Sequence, residues 1–145
     1  MIPDLHENGK LPPGIHWAMW DEFQARFGWT PYRRRLLNGL KDGLLSFKAA
    51  GCQTAYVDGS FITSKEVPGD FDCCWDEKGV DPTLLDTVLL DFRDRRAAQK
   101  AKYLGEFLPA TCVEGRSGKI FLDFFAEDKE TGDPKGIVAI DLRGL

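Results

Sequence analysis

The stretch Tyr56-Val-Asp-Gly-Ser-Phe-Ile-Thr-Ser-Lys-Glu-Val-Pro-Gly-Asp-Phe-Asp-Cys-Cys-Trp-Asp76 reads as a strand, a Gly59-Ser60 turn, a loop, and a second strand that opens with Asp70 and Asp72. Side chains on a strand alternate between its faces, so carboxylates two residues apart project to the same side and converge on one point. Two like charges held that close call for a cation between them. All-oxygen ligands suit Mg²⁺ or Mn²⁺. Apolar Phe71 between the acids, and Cys73 to Trp75 beyond them, continue the strand and set this pair apart from acids on a loop.

Working outward, Thr54 to Val57 forms the first strand, and the segment before it reads as helix. Thr30-Pro31 supplies a capping hydroxyl and a proline at the first helical position. Leu36, Leu37, Leu40, Leu44 and Phe47 then recur at three and four residues, so a long helix runs to Ala50 and stops at Gly51, with Arg33, Arg34, Lys41 and Asp42 on its polar face. A shorter helix from Ala18 to Phe27 places Trp20, Phe23 and Phe27 on one side, with Asp21 and Glu22 in the first turn, where the helix dipole favours acids. Residues 1–17 contain Pro3, Gly9, Pro12, Pro13 and Gly14 and read as an extended arm packed on the body through Leu11, Ile15 and Trp17.

Downstream, Pro82 starts a helix carrying Leu84, Leu85, Val88 and Leu89. The run from Arg93 to Lys102 is a basic helix, closed by Pro109, with five basic residues in ten. Ile120 to Ala126 reads as a strand with a lone acid, Asp123, inside it. Burying an unpaired carboxylate there costs several kcal/mol, on the order of 2–7 for a polar group and more for a charge, so a compensating metal or partner is expected beside it. Glu130 to Pro134 is a turn, and Gly136 to Leu142 is a strand or short helix. Arg96 and Lys100, four apart on one face, are the candidate clamp for a triphosphate or an RNA. Lys65, in the loop between the motif halves, is a second phosphate candidate. Solvation is the alternative for all three.

At 145 residues the chain fits one domain, which buries roughly 70% of its unfolded surface at that size. Apolar residues make up 43% and charged residues 29%, and the formal net charge is −4, which argues against nonspecific nucleic-acid binding over the whole surface. No basic-then-apolar leader opens the sequence, and no apolar run approaches the roughly 20 residues a bilayer demands. The four cysteines, Cys52, Cys73, Cys74 and Cys112, lack zinc spacing and read as thiols. These features predict a cytoplasmic protein with no membrane association. His6 and His16 offer no base–nucleophile arrangement.

The Gly59-Ser60 pair, nine further residues and then acid-apolar-acid resemble the signature of the polymerase-beta-type nucleotidyltransferases. The whole chain also looks like an uncharacterised family of small prokaryotic nucleotidyltransferase-like proteins. That likeness rests on residues 7–17, Ala50-Gly51-Cys52, the Gly59-to-Asp72 core and Asp133 to Ile137. The resemblance implies an α+β fold, a small mixed sheet with helices mainly on one face. It implies that Asp70, Asp72 and Asp123 bind Mg²⁺ or Mn²⁺ and act in catalysis. It also implies that Gly59 and Ser60 contact a nucleoside triphosphate. The activity expected is transfer of a nucleoside monophosphate to a hydroxyl on a protein or RNA acceptor, in a toxin–antitoxin or phage-defence setting with a cognate partner protein. The loop here departs from the best-known minimal family, which carries an arginine-glycine pair and a serine before the first acid. Phosphate contacts and base choice therefore do not carry over. Two alternatives stand beside it: a degenerate member that binds nucleotide or partner without turnover, and an interaction module docking through the basic helix and the arm.

Overall fold

In the computed structural model, which describes residues 1–145, the chain forms a five-stranded mixed sheet with four helices. The strands are β1 (Gly14–Met19), β2 (Thr54–Asp58), β3 (Phe71–Trp75), β4 (Gly105–Pro109) and β5 (Gly136–Asp141), and their spatial order is β1-β5-β2-β3-β4. The outer pairs β1–β5 and β3–β4 are parallel, whereas β2 runs antiparallel to both of its neighbours. The helices are α1 (Trp20–Phe27), α2 (Pro31–Ala49), α3 (Arg93–Tyr103) and α4 (Phe121–Phe125). No helix is long and apolar enough to cross a membrane.

The leucine stripe of α2 behaves as its spacing predicts. Leu36, Leu37, Leu40, Leu44 and Phe47 are all buried, and the Thr30 hydroxyl accepts from the Arg33 amide to cap the helix. They pack on the sheet face formed by Val57, Phe71, Cys73, Trp75, Phe107, Val138 and Ile140, together with Phe23 and Phe27 of α1. Phe107 is the hub, its ring 5.2–5.7 Å from those of Phe71, Phe47 and Tyr103. Gly39 is required where α2 meets the end of α3, because a Cβ there would lie 1.9 Å from the Tyr103 carbonyl oxygen.

Strand alternation sends the other residues to the opposite face. There Cys74 and Leu108 form a small second core with Ala110 and Phe125, beneath α4. Three helices therefore cover one face, and the other carries one short helix and open clefts.

Several sequence expectations change. The Pro82 segment is not an α-helix but two 3₁₀ turns, Pro82–Leu84 and Thr87–Leu90, because the Asp81 and Asp86 side chains accept from backbone amides two residues on and cap each turn locally. The arm ends in β1, so helix α1 starts at Trp20 rather than Ala18. The 136–142 segment is a strand, β5, over most of its length. Strand β4, Gly-Glu-Phe-Leu-Pro, was assigned to the basic helical segment; it is too short, and too close behind a helical pattern, to announce itself. Helix α3 opens with a left-handed turn, Asp94, Arg95 and Arg96 having φ of 51°, 55° and 60°.

Arg33, read as part of the polar face of α2, is fully buried. Its guanidinium donates to the carbonyls of Phe27, Phe61, Thr63 and Lys65 at 2.7–3.2 Å and stacks 3.6 Å from the Trp29 ring. The loop after β2 has few backbone partners of its own, and this one side chain supplies them. Burial pushes the Arg33 pKa down to about 10, which leaves it charged at neutral pH.

Candidate active site

The registers of β2, β3 and β4 bring three acids into one row. Asp58 lies opposite Asp72, and Asp72 lies opposite Glu106. Directly paired residues share a face, so all three carboxylates emerge from the open side of the sheet. Asp70, the residue just before β3, joins them. Single oxygens of Asp70, Asp72 and Glu106 lie within 4.8 Å of one another.

The third acid of the cluster is therefore Glu106, and Asp123 is not part of it. The run Ile-Phe-Leu-Asp-Phe-Phe forms the helical turn α4 rather than a strand. An unbroken apolar run fits either state. Here Phe121 and Phe125, four apart, stack with ring centroids at 6.1 Å, and Phe125 is buried over Cys74 and Leu108. That leaves Asp123 exposed, with no charge to compensate.

From sequence alone Asp58, just outside the motif, reads as a surface acid. Instead it is 2% exposed, and its Oδ1 has no hydrogen-bond partner. Burial first, then the Asp72 charge, raises its pKa well above the carboxylate range, opposed by Lys135 and Lys129. Asp72 is pushed up to about 7 by burial, by a hydrogen bond shared with Glu106 and by the Asp70 charge. Asp70 is raised by burial and by Glu106. The row is thus under electrostatic load, from burial and from the mutual repulsion of its carboxylates.

This load has a consequence for pH. The folded form holds a proton on Asp72 that the unfolded chain, near pKa 3.8, releases first, so the contribution is stabilising below about pH 4 and is lost as pH rises to about 7. Added Mn²⁺ should therefore raise the Tm more at pH 8 than at pH 5, and a calorimetric scan at the two pH values checks it. An equal rise at both would contradict the assignment.

Two clefts flank the row. The first, about 600 Å³, is lined by Gly59, Ser60, Lys65, Asp72, Lys129 and Lys135, with residues 8–11 of the arm closing one side. The arm is stitched to the loop by the Ser64 amide, which donates to the Gly9 carbonyl, and Lys10 pairs with Asp128 at 2.7 Å. Gly59 has φ 79° and ψ −164°, a conformation reserved for glycine, and a Cβ there would sit 2.3 Å from Asp72 Oδ2. The glycine thus lets the turn close against the carboxylate.

The second cleft, about 950 Å³, includes Glu106, Arg95, Arg96, Arg116, Phe121 and Phe124, and shares Asp128 and Lys129 with the first. Arg96 and Lys100 do not reach the Gly59-Ser60 cleft. Arg96 pairs with Glu106 at 2.7 Å and Lys100 lies 4.0 Å from the same carboxylate, so both act on the acid row. Lys65, the loop phosphate candidate, lines the first cleft, and Lys129 and Lys135, which the sequence does not single out, line it too. Neither of those two makes an ion pair within the chain. Their signal in the sequence was only a Lys on each side of a turn.

A family model spans residues 3–141, described as a family of unknown function (DUF6932). The chain belongs to this family. The match runs from the arm through β5, so the acid row and both clefts lie within the shared region. No curated protein and no solved structure matches the chain.

Proposed function

We propose that this family member is a metal-dependent nucleotidyltransferase that moves a nucleoside monophosphate from a nucleoside triphosphate to a hydroxyl on a protein or RNA acceptor. The observation that carries the reading is the convergence of Asp70, Asp72 and Glu106 beside a glycine turn that approaches one of them, with a lysine-lined cleft alongside. The donor set is three hard oxygens, which suits Mg²⁺ or Mn²⁺. When bound there, such an ion supplies charge neutralisation for the triphosphate and acidifies an attacking hydroxyl.

The chain's own groups do the positioning. The small Gly59-Ser60 turn leaves room for phosphate oxygens beside Ser60, which lines the cleft. Lys65, Lys129 and Lys135 offset their charge. The acceptor oxygen attacks the α-phosphorus, the bond to the β-phosphate oxygen breaks, and pyrophosphate departs on the lysine side. In this reading Glu106, on the wall of the second cleft, takes the proton of the attacking hydroxyl. Catalysis of this type is mostly orientation and charge neutralisation. By resemblance, the setting is a toxin–antitoxin or phage-defence pair with a cognate partner protein, in the cytoplasm. The reading that competes is nucleotide binding without turnover, and the Arg96 and Lys100 contacts to Glu106 favour it, since they neutralise the third acid from within.

The test is incubation with each α-labelled nucleoside triphosphate, Mg²⁺ or Mn²⁺, total RNA and cell extract. Label is expected on RNA or protein with the native chain and with Asp123→Asn, and is expected to fall at least a hundredfold, about 2.7 kcal/mol, with Asp70→Asn/Asp72→Asn or Glu106→Gln. Transfer surviving in the double variant would sink the proposal. Nucleotide binding without transfer would select the degenerate form.

A further inference from the structure

The second cleft is not explained by triphosphate binding, and its lining has a distinct chemistry. Its cations divide into two groups. Arg96 is committed to Glu106, and Lys119 to Glu127 at 2.5 Å. Arg95, Arg116 and Lys129 make no ion pair anywhere in the chain. Between them stand the half-buried rings of Phe121 and Phe124, and Lys129 Nζ lies 5.9 Å from the Phe124 centroid. Two of the three free cations are arginines, whose planar head both pairs with phosphate and stacks on a base.

Interleaved free cations and aromatic faces in an open groove are the arrangement that holds single-stranded nucleic acid: the cations track the phosphates and each ring offers a base a stacking platform. A duplex has no free base faces to present. The groove also leads to the right place. Glu106 forms part of its wall and is the register partner of Asp72, which lines the donor cleft, so a chain end lying in the second cleft would bring its terminal hydroxyl to the acid row. The overall charge of −4 disfavours such binding over the surface at large, so a local cationic groove is needed for it. The strained left-handed turn Asp94 to Arg96 lies where Arg95 and Arg96 reach the groove.

We propose that the second cleft binds the end of a single-stranded polynucleotide as the acceptor. This rests on the nucleotidyltransferase reading for its chemistry, although the binding itself stands on the groove alone. The experiment is fluorescence anisotropy with 5′-labelled oligonucleotides of about twelve residues, single-stranded RNA, single-stranded DNA and duplex, titrated with the full chain across a range of salt. In parallel, Mn²⁺-dependent binding of a nonhydrolysable nucleoside triphosphate analogue reads the first cleft.

Single strands should bind in preference to duplex, with a log–log salt slope of roughly −2, from three phosphates at about 0.7 each. RNA over DNA would identify a ribose-reading acceptor site, and equal binding a general one; both support the proposal. Arg95→Glu/Arg116→Glu should weaken the single strand at least tenfold and flatten the slope, and Phe124→Ala should weaken it several-fold. Analogue binding should stay within about twofold in both. Arg95 and Arg116 are exposed and unpaired, so charge reversal there leaves the fold intact. No single-strand binding by the native chain, unchanged binding in the double variant, or label transferred to protein equally well by that variant would overturn the proposal. Loss of analogue binding by the native chain would instead sink the donor reading and leave the groove standing.

Discussion

Arg33→Met is expected to lower the stability of the fold by roughly 3–5 kcal/mol, the range for removing one partner from a buried charged network. Arg33 is fully buried and feeds four carbonyls, and methionine fills most of its volume while satisfying none of them. Each orphaned buried acceptor costs about 1–3 kcal/mol, partly relieved as water enters the loop. For a chain of this length that corresponds to a fall in Tm of roughly 10 °C. Because the carbonyls of Phe61, Thr63 and Lys65 belong to the loop bearing Ser60, nucleotide binding should fail before the fold does. Scanning calorimetry and a nucleotide titration at a temperature well below the variant's Tm separate the two effects. Arg33→Lys should rescue little, since an ammonium has three donors on one atom and cannot span four carbonyls. A variant as stable as the native chain would show that the loop holds itself.

The second large effect is at the turn. Gly59→Ala should cost about 1–3 kcal/mol through backbone strain alone, at φ 79° and ψ −164°. The steric term is specific: the new Cβ would meet Asp72 Oδ2 at 2.3 Å, so the carboxylate must swing out of the acid row. Metal and nucleotide binding should both be abolished in a protein that still melts cooperatively. The control is Gly69→Ala, in the same loop, where a Cβ meets nothing within 4 Å and no change is expected. Equal behaviour of the two variants would remove Gly59 from the site.

Much of this site was legible in the sequence because its signals are local. The Gly59-Ser60 turn and the Asp70/Asp72 pair lie within one hairpin, and strand alternation alone places the two acids together. The leucine stripe of α2 gave its helix for the same reason. What failed was non-local. Glu106 sits in a strand of five residues whose neighbour is β3, and nothing within Gly-Glu-Phe-Leu-Pro states that pairing. Asp123 looked better because it was a lone acid in an apolar run, but the run buries Phe125 through one helical turn and turns the acid outward. Asp58 and Arg33 were misplaced for a related cause. Each is a buried charged residue whose surroundings are set by groups distant in sequence: the charges of Asp72, Lys129 and Lys135 for the first, the carbonyls of residues 61–65 for the second.

The account rests on the carboxylate row taking a divalent cation, and a calorimetric titration with Mn²⁺ tests that most directly. The native chain and Asp123→Asn should bind Mn²⁺ with the same affinity and stoichiometry, whereas Asp72→Asn and Glu106→Gln should each weaken it by at least tenfold, about 1.4 kcal/mol. Binding lost in Asp123→Asn and kept in Glu106→Gln would contradict the account.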